Sequence, residues 1–283
     1  MNNLNLQLKP SNLKVNQYLH LSNATGAHAT AATTTAFDSF TSYSIEITIK
    51  RSVFSSTRPA NWVPFSCVYT SGGDMNGIYV LAIGNTWYWF VGDGNGLYNL
   101  HLQSLTSLQP KFRSQKTGQY MTVVFTADAT TATNNLKTYT MSSGSPNSTD
   151  DRFSTATTSA AYTNWGTLGT NSHVVIGGKI DGSTALSFNT TLSGIGVVRV
   201  QMWDSALSEA NAKKIGGFKA GQTSTKFKLQ DYSAGSYPRP IHSWTPQLYI
   251  DNNPKVPATH LLDQGSATAL NLELKGTMKA IYG

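Results

Sequence analysis

Charged residues are unusually scarce in this sequence. Only 12% of its 283 residues are Asp, Glu, Lys or Arg, against roughly 25% in an average soluble domain. Disorder is nevertheless not expected, because 39% of the residues are apolar and 11% are aromatic, which is enough to bury a core. The sequence therefore predicts a folded chain with a surface made mainly of hydroxyl and amide groups.

Glutamate and cysteine are also scarce. Cys67 is the single cysteine, so no disulfide can form within the chain. The only glutamates are Glu46, Glu209 and Glu273, and no predicted strand carries two acidic residues at i and i+2. Glycoside hydrolysis needs two carboxylates about 5–9.5 Å apart, so we expect no catalytic residues. Aspartates that converge from separate loops are the alternative, and they leave a glycan hydrolase open.

Long apolar runs are missing as well. No stretch approaches the roughly 20 apolar residues of a membrane span, and residues 1–4 lack the basic patch and apolar run that begin a signal peptide. We therefore expect a chain made in a reducing cytoplasm, without export and without a membrane span. The formal net charge of +7 is mild for this length. No nucleic-acid motif accompanies the basic run at 213–228, so no specific nucleic-acid partner is expected.

What the sequence does have is repeated alternation of apolar and polar residues, which is typical of half-buried strands. The alternation predicts strands over 18–21, 43–50, 62–69, 78–83, 87–91, 97–102, 120–125, 136–141, 174–178, 194–203 and 269–275. Residues 72–77 are predicted to form the turn of a hairpin between the third and fourth of these strands. The Ser/Thr-rich stretch 142–169 is predicted to be a surface loop.

One helix is predicted directly after residue 203. Ser208 is a good N-cap, Glu209 suits the first turn and Gly216 ends the helix. The predicted fold class is all-β, a two-sheet antiparallel β-sandwich with one short helix and an extended C-terminal tail. We divide the chain into a sandwich over residues 1–232 and a Pro-rich extension over 233–283 that ends in a strand and serves as an assembly or docking segment.

The order of these segments resembles the laminin-G-like group of the concanavalin A-like lectin and glucanase superfamily, over about residues 15–217. Three stretches carry the resemblance: the strand 43–50, the strand pair 118–125 and 136–139, and a closing pattern. The closing pattern is Ile176-Gly177-Gly178, then Phe188, then Gly194-Ile195-Gly196-Val197-Val198-Arg199-Val200, then Trp203-Asp204-Ser205-Ala206-Leu207-Ser208.

The resemblance implies a jelly-roll fold and the binding of carbohydrates or proteins, often with a calcium ion held by loops. Modules of this kind occur in bacteriophage capsid and tail appendages. We therefore expect a structural and adhesive virion component whose partners are other virion proteins, copies of itself or a cell-surface glycan. The alternatives are a free-standing carbohydrate-binding lectin and a glycan hydrolase on the same fold.

Aromatic side chains are the first candidates for ligand binding, because a flat apolar face with a polar edge suits a sugar ring. Trp87 and Trp89 lie on one side of a predicted strand, and Tyr88 and Phe90 lie on the other. One pair must face the core, and the other is available at the surface. The predicted ligand-binding residues are Trp87, Trp89, Tyr98 and Trp165, with core packing as the alternative role for each.

Calcium is the metal that the loops of this chain suit best, since hard cations take oxygen ligands. The candidate ligands are Asp74, Asp93, Asn95 and Asp181. The alternative is that these residues stand in hairpin turns, where Asp, Asn and Gly are favoured for their backbone conformation. No cofactor is required by any motif.

A short sequence occurs twice. LNLQLK at residues 4–9 and LNLELK at 270–275 agree at five of six positions. Leu270, Leu272 and Leu274 are therefore candidate assembly residues that either complete a sheet in the same chain or pair with a neighbour's exposed edge. The alternative is two ordinary amphipathic strands that share a common pattern.

Overall fold

The computed structural model of the chain describes residues 17–20, 28–33, 37, 40–51, 62–71, 74–83, 86–94, 98–104, 120–132, 135–142, 152–158, 162–168, 172–180, 195–215, 238–244, 260–261, 263, 265, 267–275 and 279–282. In this part of the chain there are sixteen strands and one α-helix, α1 (Glu209–Ile215). The strands are β1 (Gln17–His20), β2 (His28–Ala32), β3 (Ser42–Arg51), β4 (Trp62–Ser71), β5 (Asp74–Ile83), β6 (Thr86–Asp93), β7 (Tyr98–Ser104), β8 (Tyr120–Asp128), β9 (Leu136–Ser142), β10 (Arg152–Thr158), β11 (His173–Ile176), β12 (Ile195–Trp203), β13 (His242–Trp244), β14 (His260–Leu261), β15 (Leu272–Lys275) and β16 (Lys279–Tyr282).

The strands form two sheets of eight. Sheet A has the order β10-β9-β8-β3-β12-β1-β16, and β13 pairs with β12 beside it. Sheet B has the order β14-β15-β2-β11-β4-β5-β6-β7. Each of these strand pairs is antiparallel. The predicted fold class is therefore confirmed.

Period-two alternation places the core between the sheets. In β3, Tyr43, Ile45 and Ile47 are buried in the main core cluster together with residues from sheet B such as Phe65 and Trp89. Successive side chains of a strand point to opposite faces, so the residues between them must lie on the outer face of sheet A. The alternation therefore gives sheet A an inner face that forms the core and an outer face that other residues have to cover.

Helix α1 covers part of that outer face. The Ser208 hydroxyl accepts a hydrogen bond from the backbone N–H of Asn211 at 3.2 Å, so the predicted N-cap is confirmed. Ala212 and Ile215 pack with residues of sheet A and of the helix lead-in as a second, smaller apolar cluster, whose other members are Val124, Tyr139, Met141, Trp203 and Leu207. The helix therefore seals apolar side chains that the sandwich core cannot accommodate.

Beside this cluster, a buried ion pair joins two strands that are far apart in the sequence. Arg199 Nε donates to Glu46 Oε2 at 2.9 Å and Arg199 Nη2 donates to Glu46 Oε1 at 3.0 Å. Both side chains are buried. The same Nη2 also donates to the carbonyl of Ile215 at 3.2 Å, at the end of α1, and the Thr48 hydroxyl donates to Glu46. The pair therefore links β3, β12 and the helix C-terminus.

The prediction of a continuous loop over 142–169 is wrong. Arg152–Thr158 forms strand β10, which pairs with β9 over seven positions at the edge of sheet A. Its sequence RFSTATT lacks the apolar alternation that predicts a strand, but backbone pairing along one edge does not require two apolar faces. Residues 162–168 do run without regular structure, as expected for the rest of the stretch.

Strands from the C-terminal region belong to both sheets. β13 pairs with β12 and β16 pairs with β1 in sheet A, while β15 pairs with β2 in sheet B. Leu272 is completely buried, and Leu270 and Leu274 pack against the main core of the same chain. Of the two uses predicted for these leucines, the structure shows sheet completion within the chain. The division at 232/233 stays a prediction, and residues 4–9 lie outside the described part.

Asp263 fastens this C-terminal region to the sandwich. Its carboxylate lies 2.5 Å from Nδ1 of the buried His242 and accepts backbone N–H groups of Ser243, Gly265 and Leu270 at 2.8–3.0 Å. The His242 ring stacks between Phe37, at 4.9 Å, and Trp244, at 5.5 Å. Burial acts to raise the pKa of Asp263, but the hydrogen bonds from His242 and the three N–H groups outweigh it and hold that pKa below its usual value.

Replacing Arg199 by Met leaves the Glu46 carboxylate buried without its partner, which typically costs about 3–5 kcal/mol of unfolding free energy. We expect the double variant Glu46→Met/Arg199→Met to lose much less, because it buries no unpaired charge. Urea unfolding followed by circular dichroism measures both. Glu273→Gln, which breaks the exposed Glu273–Lys275 pair, is the control and should cost less than about 1 kcal/mol. If Arg199→Met is at least as stable as Glu46→Met/Arg199→Met, the buried Glu46 carboxylate does not depend on Arg199 as described.

The lowered pKa of Asp263 predicts acid sensitivity. The stability that this carboxylate contributes is complete above its unfolded pKa of about 3.9 and is lost as the pH falls below that value towards the folded pKa. We expect Asp263→Asn to be less stable than the wild type at pH 7, with a shallower loss of unfolding free energy between about pH 4 and pH 2. Asp204→Asn, at an exposed position, should keep the wild-type slope. Equal slopes for Asp263→Asn and the wild type would refute this role.

Candidate functional site

Three of the predicted ligand-binding residues are packed inside the sandwich. Trp87, Trp89 and Trp165 are all buried. Trp89 stacks on Phe125 of the opposite sheet at 4.7 Å, and Trp165 Nε1 donates to the carbonyl of Phe37 at 2.5 Å. A sugar ring cannot reach these indoles, so the structure assigns them the alternative role, core packing.

Tyr98 has a different position. It lies at the start of β7, the strand at one edge of sheet B, and pairs with Gly92 of β6. Its side chain lies outside the described part of the structure, so its role in binding stays a prediction.

Because Trp87 and Trp89 point inward, the residues that alternate with them point outward. Tyr88 and Phe90 are half-buried on the outer face of sheet B. In the register of β5 with β6, Tyr79 lies directly opposite Phe90. The sequence identified Tyr88 and Phe90 as the second pair of this strand, but it did not show which pair faces outward.

Three rings form a row across these two strands. Tyr79 and Phe90 stack with ring centres 4.5 Å apart and ring planes 5° apart. Tyr88 lies beside Phe90 with ring centres 6.4 Å apart and planes 27° apart. We call Tyr79, Tyr88 and Phe90 the aromatic face. Cross-strand pairing and i, i+2 spacing on one strand hold the three rings together.

A lysine completes the row. Lys179 Nζ lies 4.7 Å from the centre of the Tyr79 ring, within cation–π distance. Lys179 follows the glycine pair Gly177-Gly178, and the buried Ser66 hydroxyl donates to the carbonyl of Gly178 at 3.0 Å. The turn is therefore fastened to the sheet and places a positive charge beside the aromatic face.

The aromatic face has the chemistry of a sugar-binding surface. Half-buried aromatic rings present apolar surface for the C–H groups of a pyranose, and the tyrosines carry hydroxyls that can donate or accept hydrogen bonds. A rigid sheet also holds the rings in place before a ligand arrives, which lowers the entropic cost of binding. The site is therefore suited to recognition.

All three glutamates have partners. Glu46 is buried against Arg199 at 2.9 Å. Glu209 pairs with Lys213 at 2.6 Å within α1, and Glu273 pairs with Lys275 at 2.6 Å on β15. None of the three lies on β5 or β6, the strands that carry the aromatic face.

Two of the predicted calcium ligands lie near one end of sheet B. Asp74 begins β5 and is exposed, and Asp93 ends β6 opposite Asn76. The hairpin turn is shorter than predicted, because residues 74–77 belong to β5 and only 72–73 separate it from β4. Asn95 and Asp181 lie outside the described residues. Among the residues that the structure describes, no three His, Cys, Asp or Glu side chains come together in a metal-binding cluster.

The same end of the sandwich is closed by residues 162–168. The Trp165 carbonyl accepts the N–H of Gly77 at 2.6 Å, and the Tyr162 hydroxyl donates to the Phe40 carbonyl at 2.6 Å. Burial raises the pKa of Tyr162, the neighbouring Tyr43 hydroxyl acts in the opposite direction, and the charge of Asp93 raises the pKa further. Tyr162 is therefore a neutral structural side chain.

Comparison with known proteins gives the fold. No protein-family model matches the chain, and no curated protein sequence matches it. A solved protein of Bacteroides ovatus ATCC 8483, named as a candidate carbohydrate-binding protein, is 13% identical with a TM-score of 0.51, and the match covers 95% of this chain and 61% of that one. This chain thus spans less than two thirds of that protein. At this identity the likeness shows the sandwich fold.

Two further solved structures have lower scores. The carbohydrate-binding module 40 of a Ruminococcus gnavus IT-sialidase, bound to α2,3-sialyllactose, is 13% identical, with a TM-score of 0.45 over 71% of this chain and 98% of that one. A heptameric SAP-like pentraxin from Limulus polyphemus is 14% identical, with a TM-score of 0.40 over 71% and 81%. Structural similarity at these TM-scores does not support a conclusion about function.

Residues 162–168 approach sheet B closely at Asn76, and this close approach is testable. Gly166 has φ = +73°, and a Cβ there would collide with the Asn76 side-chain oxygen. We expect Gly166→Ala to cost about 1–2 kcal/mol of unfolding free energy from the backbone conformation alone, and more from the collision. Urea unfolding measures the loss. The exposed neighbour Thr167, replaced by Ala, is the control. Equal stability of the two variants would contradict the close approach of Gly166 to Asn76.

Proposed function

We propose that this chain is a non-catalytic, adhesive β-sandwich that binds a surface glycan through the aromatic face. The observation that carries the proposal is the row of three half-buried rings, Tyr79, Phe90 and Tyr88, on the outer side of sheet B. The three rings lie on the face of sheet B opposite the inward tryptophans, and they belong to neither of the two core clusters among the described residues. Sugar recognition is a use that their position and chemistry support.

The arrangement of the carboxylates supports a binding role without catalysis. Glu46 is committed to Arg199, and Glu209 and Glu273 form ion pairs on other elements. A hydrolase would need an acid and a second carboxylate on either side of one sugar bond. The described glutamates have no such arrangement, and the aromatic face with its neighbour Lys179 consists of rings, two hydroxyls and an ammonium group, without a carboxylate.

The Bacteroides ovatus protein adds support through its fold. Its name refers to carbohydrate binding, and its fold is similar to that of nearly all of this chain. A sandwich with a polar, weakly charged surface and an outward aromatic row is compatible with that kind of binding. We extend the same proposal to the biological setting: the chain is a virion component, in a capsid or tail appendage, whose C-terminal region helps to dock it.

We include calcium in the proposal as an ion that can bind near Asp74 and Asp93 but is not needed for glycan binding. The aromatic face contains no side chain that a hard cation prefers. Glycan binding should therefore persist in EDTA. Abolition of binding by EDTA, with recovery on adding Ca²⁺, would move the site to the loops at the end of sheet B.

A glycan array followed by calorimetry tests the site. For a glycan that the array identifies, we expect Tyr88→Ala to raise Kd at least about tenfold, equivalent to roughly 1.4 kcal/mol, with little change in unfolding midpoint because the ring is half-exposed. Trp87→Phe is the matched control on the same strand, since Trp87 points inward; it should lower stability and leave Kd unchanged. An unchanged Kd for Tyr88→Ala would disprove this site, and an array without any binder would overturn the glycan proposal. Release of reducing sugar by the purified protein would overturn the non-catalytic part.

A further inference from the structure

β7 is the strand at one edge of sheet B, and its other side has no partner strand among the described residues. The N–H and C=O groups on that side of an edge strand are open to pairing with a further strand. All seven residues of β7 pair with β6, and the register runs without a shift. The edge is therefore long and free of bulges.

The usual protections of an edge strand are missing from β7. Natural edge strands are very short, or they carry charged residues, prolines or bulges. Of the other edge strands, β14 has two residues, β16 contains Lys279 and β10 contains Arg152. The sequence of β7, YNLHLQS, contains no Lys, Arg, Asp, Glu or Pro. Nothing in this strand opposes the addition of another strand.

The two leucines of β7 continue the outer face of sheet B to its edge. Leu100 is paired with Phe90, and Leu102 is paired with Tyr88. Directly opposite residues of an antiparallel pair share one face of the sheet, so both leucine positions belong to the same side as the aromatic face. His101 is paired with the inward Trp89 and therefore takes a position on the inner side.

The sequence of β7 is nearly symmetric about its middle residue, His101. Leu100 and Leu102 stand on either side of it, and the amide residues Asn99 and Gln103 stand beyond them. When two copies of one strand pair about a two-fold axis, residue i of one copy faces residue j of the other, and j faces i. Antiparallel pairing centred on His101 uses all seven residues, and it places leucine opposite leucine and amide opposite amide.

The distribution of charge also favours a second copy as the partner. A strand that pairs with its own copy brings its charged residues close to one another, and like charges directly opposite are destabilising. The whole chain has a formal net charge of +7, but none of its Lys, Arg, Asp or Glu residues lies in β7. Self-pairing of this strand therefore creates no charge repulsion within the pair.

We infer that β7 is the interface of a homodimer, in which the β7 strands of two copies pair antiparallel about a two-fold axis centred on His101. The two eight-stranded B sheets then form one continuous sheet. A strand of an unrelated protein would gain the backbone hydrogen bonds, but it would not match the leucine and amide positions. This inference does not depend on sugar binding at the aromatic face.

Disulfide formation in the full-length chain tests the register. Directly opposite residues of an antiparallel pair are close enough for a disulfide, and the native Cys67 is buried. His101→Cys should therefore link two copies, seen on non-reducing electrophoresis as a band at twice the chain mass of 30.6 kDa. Ser104→Cys should not link, because the two positions lie six residues apart along the paired strands, roughly 20 Å. Thr157→Cys, at an exposed position of the edge strand β10, is the control for chance collision.

A charge swap tests the same pairing without a covalent link. Sedimentation equilibrium of the wild type should give the dimer mass at micromolar concentrations. Leu100→Lys/Leu102→Lys places lysine opposite lysine twice, so it should raise the dimer Kd at least about tenfold. Mixing this variant with Leu100→Glu/Leu102→Glu places opposite charges face to face and should restore a dimer made of one copy of each. Circular dichroism shows whether both variants fold.

A monomeric wild type would overturn the inference. A dimer would also overturn it if His101→Cys links no better than Ser104→Cys or Thr157→Cys, or if the lysine variant dimerises as tightly as the wild type. If the charged variants do not fold, the cysteine series and the mass of the wild type decide.

Discussion

Alternation along the strands is the constraint on which this structure depends. Each strand has two faces, and a sandwich buries one of them, so every strand presents a second set of side chains that needs another use. In β3 the inward residues build the core, and outward Glu46 meets Arg199 and the end of α1. In β6 the inward tryptophans build the core, and outward Tyr88 and Phe90 form the aromatic face. The outer faces of the two sheets therefore differ: part of one is covered by a helix beside an ion pair, and the other carries the aromatic face that we propose as the recognition surface.

The fold was largely predictable because it depends on this local pattern. The strands around Ile45, Val123 and Val200 and the Ser208 cap could be predicted from the residues themselves. β10 could not, because its Ser and Thr residues carry no apolar alternation and it is held by backbone pairing at a sheet edge. Pairing between distant segments could not be predicted either: nothing local indicates that Glu46 and Arg199, 153 positions apart, share two hydrogen bonds.

No helix in the described part of the chain is long and apolar enough to cross a membrane.

The candidate site was only partly predictable, for a related reason. The sequence shows that Trp87 and Trp89 lie on one side of a strand and Tyr88 and Phe90 on the other, but it does not show which side is inside. That choice depends on Phe125 and the opposite sheet. Tyr79 and Lys179 were missed altogether, since they join the face through the β5–β6 register and through a turn after β11. The register of the β5–β6 hairpin is the signal that could have identified Tyr79, because only residues 84–85 separate these two strands and so short a connection restricts their register.

The central claim is that an outward aromatic row on sheet B is the recognition surface, and ring-resolved NMR tests it most directly. With tyrosine rings labelled with ¹³C, titration of a glycan that the protein binds should shift the Tyr79 and Tyr88 signals saturably, with one common Kd. The signals of the buried Tyr43 and Tyr139 should stay in place. Saturable binding in which Tyr79 and Tyr88 do not move would contradict the account and place the ligand elsewhere on the sandwich.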